Sequence, residues 1–174
     1  MDQMAESVLA FIRTHEAWGP PIVFALAFGE SLAFVSLVLP ATVLLWGVGA
    51  LIGASGLDFW SFWFAAAVGA ALGDWASYWL GYHYHRQIAG LWPLSRHPDL
   101  MPRAHEIFEK WGALGVFIGR FFGPLRAVVP LVAGAAQMPR WTFQAANWSS
   151  AFVWAGTTLG PGAFGANFVK NWFG

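Results

Sequence analysis

Four charged residues stand inside or beside the long apolar runs of this sequence: Glu30, Asp74, Arg120 and Arg126. An unpaired charge at the centre of a lipid bilayer costs about 2.5–3.5 kcal/mol even on lenient insertion scales. If the apolar runs lie in a membrane, these four side chains must pair, face water or line a polar cavity. A buried carboxylate can carry a proton, and a buried arginine can hold an anion.

Arg120 and Arg126 are the strongest candidates for binding a ligand. They are six residues apart, about 240° around a continuous helix, so an unbroken helix would point them in different directions. Gly123-Pro124 interrupts the helix between them, and a bend there would turn both guanidiniums into one pocket, which gives Pro124 a supporting role. Two convergent arginines suit a phosphate, because each offers a planar fork of donors that matches its oxygens.

Asp74 shares one helical face with Ser77, Tyr78 and Gly81. This polar face predicts that Asp74 supports the arginines, with Tyr78 beside it. The alternative is that all four charges form structural ion pairs that lock a helix bundle and bind no substrate. A structural role in helix packing accounts well for Asp74. The two arginines favour a substrate-binding role, because a single ion pair requires only one of them.

The remaining polar residues are weaker candidates. Asn147 and Gln144 share a face of an apolar helix, where hydrogen bonding to another helix is the expected role, so Asn147 is assigned a supporting place. The histidines lack the spacing of a metal site, and no nucleophile stands near a base in an apolar run. We therefore expect no enzyme activity, no catalytic residue, no cofactor and no metal.

The whole chain is unusually apolar. Of its 174 residues, 57% are hydrophobic and 10% are charged, whereas a soluble domain carries about 25% charged residues. The uncharged stretches 31–57 and 141–169 exceed the roughly 20 residues that span a bilayer, and 12 Trp and 16 Phe suit its interfaces. The net charge is zero and cysteine is absent. These features exclude a soluble enzyme, a nucleic-acid binder and a disulfide scaffold.

Breaks in the apolar pattern divide a single membrane domain, 1–174, into four segments. Residues 1–16 are predicted to form an interfacial amphipathic helix. Residues 17–82 contain a re-entrant hairpin, a helix over about Pro40–Gly53 and then a transmembrane helix over 59–82. Residues 83–112 form a connector rich in basic residues, which the positive-inside rule places in the cytoplasm. Residues 113–168 contain a second broken stretch and a last span over 141–168.

Both predicted spans carry further signals. Small residues recur along the first one and predict a close approach of another helix, at Gly69, Gly73, Ser77 and Gly81. The two halves also match one another in three places. Gly29-Glu30 with Pro40 matches Gly119-Arg120 with Pro130, and two Trp-containing motifs match at 60–62 with 141–143 and at 75–81 with 154–160. This alignment makes Glu30 equivalent to Arg120 and indicates a carboxylate–arginine arrangement across a pseudo-symmetric centre.

The sequence therefore predicts an all-α polytopic membrane protein built from two inverted repeats. Each repeat is a re-entrant broken hairpin followed by transmembrane helices. Paired broken segments in corresponding positions of two halves are typical of a transporter binding site near the bilayer midplane.

The segment 119–134, GRFFGPLRAVVPLVAG, resembles the DedA family of membrane proteins, also described as the VTT or SNARE-associated domain. Supporting matches are Gly29-Glu30 with Pro40, Gly73-Asp74 with Tyr78 and Gly81, Phe108 with Gly112, and Phe143 with Asn147 and Trp154. The likeness covers about residues 18–160.

The resemblance implies a lipid translocase. Family members resemble flippases or scramblases of undecaprenyl phosphate or of phospholipids such as phosphatidylethanolamine, often dependent on proton-motive force. The residues carried over are Glu30, Arg120 and Arg126. The family commonly has a second acid where this chain reads Pro40-Ala41-Thr42, which weakens strict proton coupling or moves that role to Glu30 and Asp74.

We therefore expect a multi-pass protein of the inner (cytoplasmic) membrane that moves a phosphate-bearing lipid, undecaprenyl phosphate first, between leaflets. Substrate contacts are assigned to Arg120, Arg126, Glu30 and Asp74. The expected partner is the phosphate head group of a membrane lipid, with protons and a second copy of the chain as further candidates and no nucleic acid. Two alternatives stay open: a scramblase of phosphatidylethanolamine-type lipids, and a structural or assembly protein whose charges only lock the bundle.

Overall fold

The computed structural model describes residues 7, 9–12, 14–32, 41–84, 106, 110–122 and 125–173. Within these ranges every regular element is helical, which confirms the all-α class. After a 3-10 turn, Glu16–Trp18, six helices follow in chain order: α1 Gly19–Ser31, α2 Ala41–Ser55, α3 Phe59–His83, α4 Ala113–Gly119, α5 Leu125–Ala135 and α6 Arg140–Phe173.

Local sequence explains where several helices begin. α1 opens with Pro20 and Pro21, which a first helical turn tolerates because its N–H groups have no partner within the helix. At the start of α3 the Asp58 carboxylate accepts hydrogen bonds from the Ser61 hydroxyl, at 2.5 Å, and from the Ser61 backbone N–H, at 3.0 Å. These hydrogen bonds lower the pKa of the Asp58 carboxyl, because they favour its charged form.

α3 is the central helix and packs on α1, α5 and α6. α1 packs on α3 and α4 packs on α6, so the first helix of each half lies on the long helix of the same half. α2 packs on α6 and α5 packs on α3, so the second helix of each half lies on the long helix of the other. The larger apolar core forms among α1, α2, α3 and α6, and includes Val23, Leu45, Val48, Phe62, Trp154 and Leu159.

The small residues predicted to allow a close helix approach do so on α3. A methyl group at Gly69 or Gly73 would collide with the backbone of α1, at Phe24 and Phe28. Further along the same helix, a methyl group at Gly81 would collide with the backbone of α5. The prediction is confirmed, and the small residues set how closely α1 and α5 approach α3.

The predicted spans 59–82 and 141–168 correspond to the two long helices, α3 and α6. Among the described helices, none combines the length and the apolarity needed to cross a membrane. Half of the predicted interfacial helix 1–16 and most of the connector 83–112 lie outside the described residues, as do Pro40 and Gly123-Pro124. α4 and α5 nevertheless end and begin on either side of the break predicted at Gly123-Pro124.

Candidate functional site

The four charged residues singled out from the sequence form two ion pairs. The first joins Arg120, which directly follows α4, to Asp74 on α3 through a hydrogen bond from Arg120 Nη2 to Asp74 Oδ2. Both residues are buried. The same Nη2 donates to Asn147 Oδ1 of α6 at 2.6 Å, and Asn147 Nδ2 donates to the Ala71 carbonyl of α3 at 2.9 Å. This network ties three elements together and leaves none of its buried side-chain polar atoms without a partner.

The second ion pair joins α5 to α1. Arg126 Nη1 donates to Glu30 Oε1 at 3.1 Å, and the two side chains are 11% and 7% exposed. The Arg126 guanidinium also lies over the Trp154 ring of α6, 4.4 Å from its centroid. The Thr42 hydroxyl, in the first turn of α2, donates to the same Glu30 Oε1. Four helices therefore converge on one carboxylate–guanidinium contact.

The other carboxylate oxygen of this pair is unsatisfied. Glu30 Oε2 is buried and accepts no hydrogen bond, alone among the buried side-chain nitrogen and oxygen atoms of the described residues. A buried polar atom without a partner costs about 1–3 kcal/mol, so such an atom is expected to meet a further donor. Glu30 therefore offers an acceptor to a donor from outside the described chain.

The two ion pairs lie next to each other, but their partners differ from those that the sequence predicted. Asp74 and Arg120 both lie within electrostatic range of Arg126. The expected carboxylate–arginine arrangement had Glu30 facing Arg120. Instead Glu30 hydrogen-bonds Arg126, and Arg120 is held by Asp74 and Asn147. The reason is that α5 packs on α3 beside α1, whereas Arg120 follows a helix that packs on α6.

The supporting residues have separate places. Asn147 makes the interhelical hydrogen bond predicted for it, to Ala71 of α3. The Tyr78 hydroxyl donates to the Met138 carbonyl at 2.5 Å, and its ring stacks on Phe143 with centroids 4.2 Å apart. Tyr78 thus belongs to a second, smaller apolar core, which also contains Val116, Met138 and Phe143, and among the described residues it makes no hydrogen bond to the ion pairs. Pro40 and Pro124 lie outside the described residues.

Two residues of the site were not among the predicted contacts. Thr42 stood out in the sequence only as a departure from the acid that resembling proteins commonly carry, and its hydroxyl contacts Glu30. Trp154 stood out only in a repeat match and in the family resemblance, and its ring lies under Arg126. Thr42 follows Glu30 by 12 residues, and each of the two residues lies on a different helix from its partner, so spacing along one helix could not connect them.

The arrangement suits an exchange of hydrogen-bond partners at the Arg126 guanidinium. Arg126 carries five N–H donors, and within the described chain it makes a single hydrogen bond. Its guanidinium is therefore able to bind a phosphate oxygen, while Glu30 accepts a proton or a donor group. Among the described residues, no cluster of three or more His, Asp or Glu side chains is arranged to hold a metal ion.

Comparison with known proteins gives matches over most of the chain. Residues 39–164 match the family model of the VTT domain. The Escherichia coli K12 inner membrane protein YabI is 36% identical over 152 residues, which is 87% of this chain and 60% of that protein. The inner membrane protein YqjA of the same strain is 32% identical over 145 residues, 80% of this chain and 64% of that protein.

A further relative comes from a Buchnera aphidicola strain. It is named an uncharacterized membrane protein and is 32% identical over 141 residues, 81% of this chain and 56% of its own length. The chain thus spans about three fifths of the length of these relatives. No solved structure matches the chain.

Proposed function

Because the chain belongs to the DedA (VTT-domain) family and is a membrane protein, we propose that it is a lipid translocase. Its substrate is a lipid with a phosphate head group, with undecaprenyl phosphate as the first candidate, and its location is the inner membrane. The observation that carries this proposal is the incomplete Glu30–Arg126 pair, in which a partly exposed arginine faces a carboxylate with one unsatisfied buried oxygen.

The pair supports a mechanism in which Arg126 changes partners. A phosphate oxygen replaces Glu30 Oε1 on the guanidinium, which the Trp154 ring keeps in place. Glu30 loses its counter-charge in that state, and protonation then removes the cost of a buried, unpaired carboxylate. The Thr42 hydroxyl keeps a hydrogen bond to Glu30 throughout. Arg120, Asp74 and Asn147 act as the rigid support beside this exchange.

Two inverted repeats would supply the movement. The packing of the halves supports them, because each half places its first helix on its own long helix and its second helix on the long helix of the other half. Glu30 and Arg126 come from different halves, on α1 and α5. A shift of one half against the other would therefore open and close the pair and give access to alternate leaflets.

A second candidate is a scramblase of phosphatidylethanolamine-type lipids. The observation that favours it is again Glu30 Oε2, a buried acceptor that suits the ammonium of a zwitterionic head group while Arg126 holds its phosphate. A structural or assembly role is favoured by the closed Asp74–Arg120 network alone. That role predicts that exchanging the charges of Glu30 and Arg126 in a double variant preserves function.

The test is leaflet-resolved transport in proteoliposomes containing the full chain. Undecaprenyl phosphate and phosphatidylethanolamine are compared with and without a pH gradient, for the wild type, Arg126→Lys and Glu30→Gln. Arg126→Lys keeps the charge and loses the planar fork, so we expect transport to fall at least ten-fold while the protein stays folded. Lys110→Gln, at an exposed cation outside both pairs, is the matched control.

The substrate that is moved distinguishes the two candidates. Transport of undecaprenyl phosphate that weakens without the pH gradient, and is lost in Glu30→Gln, supports the translocase. Gradient-independent transport of phosphatidylethanolamine supports the scramblase. Full transport by Arg126→Lys would overturn the phosphate-binding role of the arginine in both.

A further inference from the structure

A recess lies away from the two ion pairs, between the C-terminal end of α3 and the start of α6. It has a volume of about 230 Å³ and is open on one side, so it is smaller than most whole-ligand sites, which are about 300–1,000 Å³, and has room for a head group. Its lining is mostly aromatic and consists of Trp75, Tyr78, Trp79, Tyr82, His83 and Arg140. None of the residues of the Glu30–Arg126 pair or the Asp74–Arg120 network lines it.

Arg140 is the cation of this recess, and it differs from the two arginines of the ion pairs. Arg120 and Arg126 each contact a carboxylate. Arg140 is exposed and lies over the Tyr82 ring, 4.8 Å from its centroid, and within the described chain it makes no ion pair. A guanidinium held by an aromatic face, without a carboxylate, keeps its donors available for an anion.

The walls of the recess indicate what kind of anion fits. Trp75 and Trp79 are each about half exposed, and Trp141, next to Arg140, is almost fully exposed. Tryptophan rings with one apolar and one wet side are typical of the membrane–water interface. The His83 ring lies 4.4 Å from Trp79 and is fixed by a 3.0 Å hydrogen bond between its Nδ1 and the Trp79 carbonyl. Free phosphate would gain nothing from these rings, whereas the glycerol and upper acyl chains of a lipid would pack on them.

We propose that this recess binds the phosphate of an anionic phospholipid through Arg140, with its apolar part against Trp75 and Trp79. The site is separate from the transport pair, and it would hold a resident lipid at the edge of the bundle. A single cation near an anionic membrane contributes about 1 kcal/mol, which corresponds to about a five-fold change in affinity.

The experiment measures lipid binding to the purified full chain in detergent, by native mass spectrometry and by the rise in unfolding temperature. The ligands are phosphatidylglycerol, phosphatidylcholine and inorganic phosphate. We expect phosphatidylglycerol to bind and stabilise most, and Arg140→Gln to weaken its binding about five-fold. Lys110→Gln removes the same charge at another exposed site and should bind as the wild type does. Trp79→Leu, which keeps Arg140 and removes one wall, should also weaken the lipid.

Four results would overturn the proposal. Equal binding of phosphatidylcholine would show that the charge of the lipid is not recognised. Equal stabilisation by inorganic phosphate would show a simple anion site without a lipid. Wild-type binding by Arg140→Gln would show that Arg140 does not hold the lipid. An equal loss in Lys110→Gln would show that net charge rather than the recess attracts the lipid.

Discussion

The two ion pairs are built from the same side-chain types, yet one is complete and the other is not. Arg120 Nη2 serves Asp74 and Asn147 together, and Asn147 passes the network on to the α3 backbone. Within the described part of the chain, Arg126 makes one 3.1 Å hydrogen bond and an aromatic contact, and its carboxylate partner keeps a buried oxygen without a donor. The difference separates a contact that holds helices together from one that is able to change partners.

How fully each ion pair is hydrogen-bonded decides how much stability is lost when one of its charges is removed. Taking one partner from a buried, fully bonded pair leaves an uncompensated charge, which costs about 3–5 kcal/mol. A pair that is only half bonded has less to lose, because fewer hydrogen bonds depend on the partner that is removed. The Asp74–Arg120 network should therefore control stability, and the Glu30–Arg126 pair should control the proposed transport.

The largest expected effect is that of Asp74→Asn. This change keeps the size of the side chain and removes the counter-charge of Arg120, so the free energy of unfolding should fall by about 3–5 kcal/mol. Glu30→Gln, the matched change in the other pair, should lower it by only about 1 kcal/mol. Chemical unfolding in detergent, followed by circular dichroism, measures both. Equal losses would remove the distinction between the two pairs.

Asn147→Leu should have the next largest effect. It removes the acceptor for Arg120, a hydrogen bond to a charged group that contributes about 1.5–3 kcal/mol. It also removes the donor to the Ala71 carbonyl, a neutral hydrogen bond that contributes about 0.5–1.5 kcal/mol. The control is Gln144→Leu, one turn earlier on α6, because Gln144 accepts only a 3.3 Å hydrogen bond from Asn147. Unfolding of both variants under the same conditions gives the comparison, and a loss in Gln144→Leu as large as that in Asn147→Leu would contradict it.

Much of this arrangement could be predicted from local sequence. The apolar runs predicted helices, the small residues at Gly69, Gly73 and Gly81 predicted close packing, and the scarcity of charges pointed to the four side chains that form the pairs. Each of these signals depends on neighbouring residues or on spacing along one helix, so each can be recognised without knowledge of the fold.

The choice of partners could not be predicted in the same way. Glu30 and Arg126 are 96 residues apart, and Asp74 and Arg120 are 46 apart. Aligning the halves made Glu30 equivalent to Arg120 and favoured that pairing, but a pseudo-symmetric position does not tell which helix passes beside it. The crossing of α2 and α5 onto the opposite long helices decides the pairing, and that crossing depends on tertiary packing.

Thr42→Val should have the smallest effect on stability. Its effect on the Glu30–Arg126 pair should be the most informative. It keeps the shape of the side chain and removes the hydroxyl that donates to Glu30 Oε1, which costs about 1 kcal/mol of unfolding free energy. With Arg126 as the remaining donor, the carboxylate loses its fixed orientation, so transport should fall several-fold. Thr42→Ser restores the donor and should restore transport, which a packing role of the methyl group would not predict. If Thr42→Val transports as the wild type does, the Arg126 contact alone positions Glu30, and the contact from Thr42 on α2 is not needed for transport.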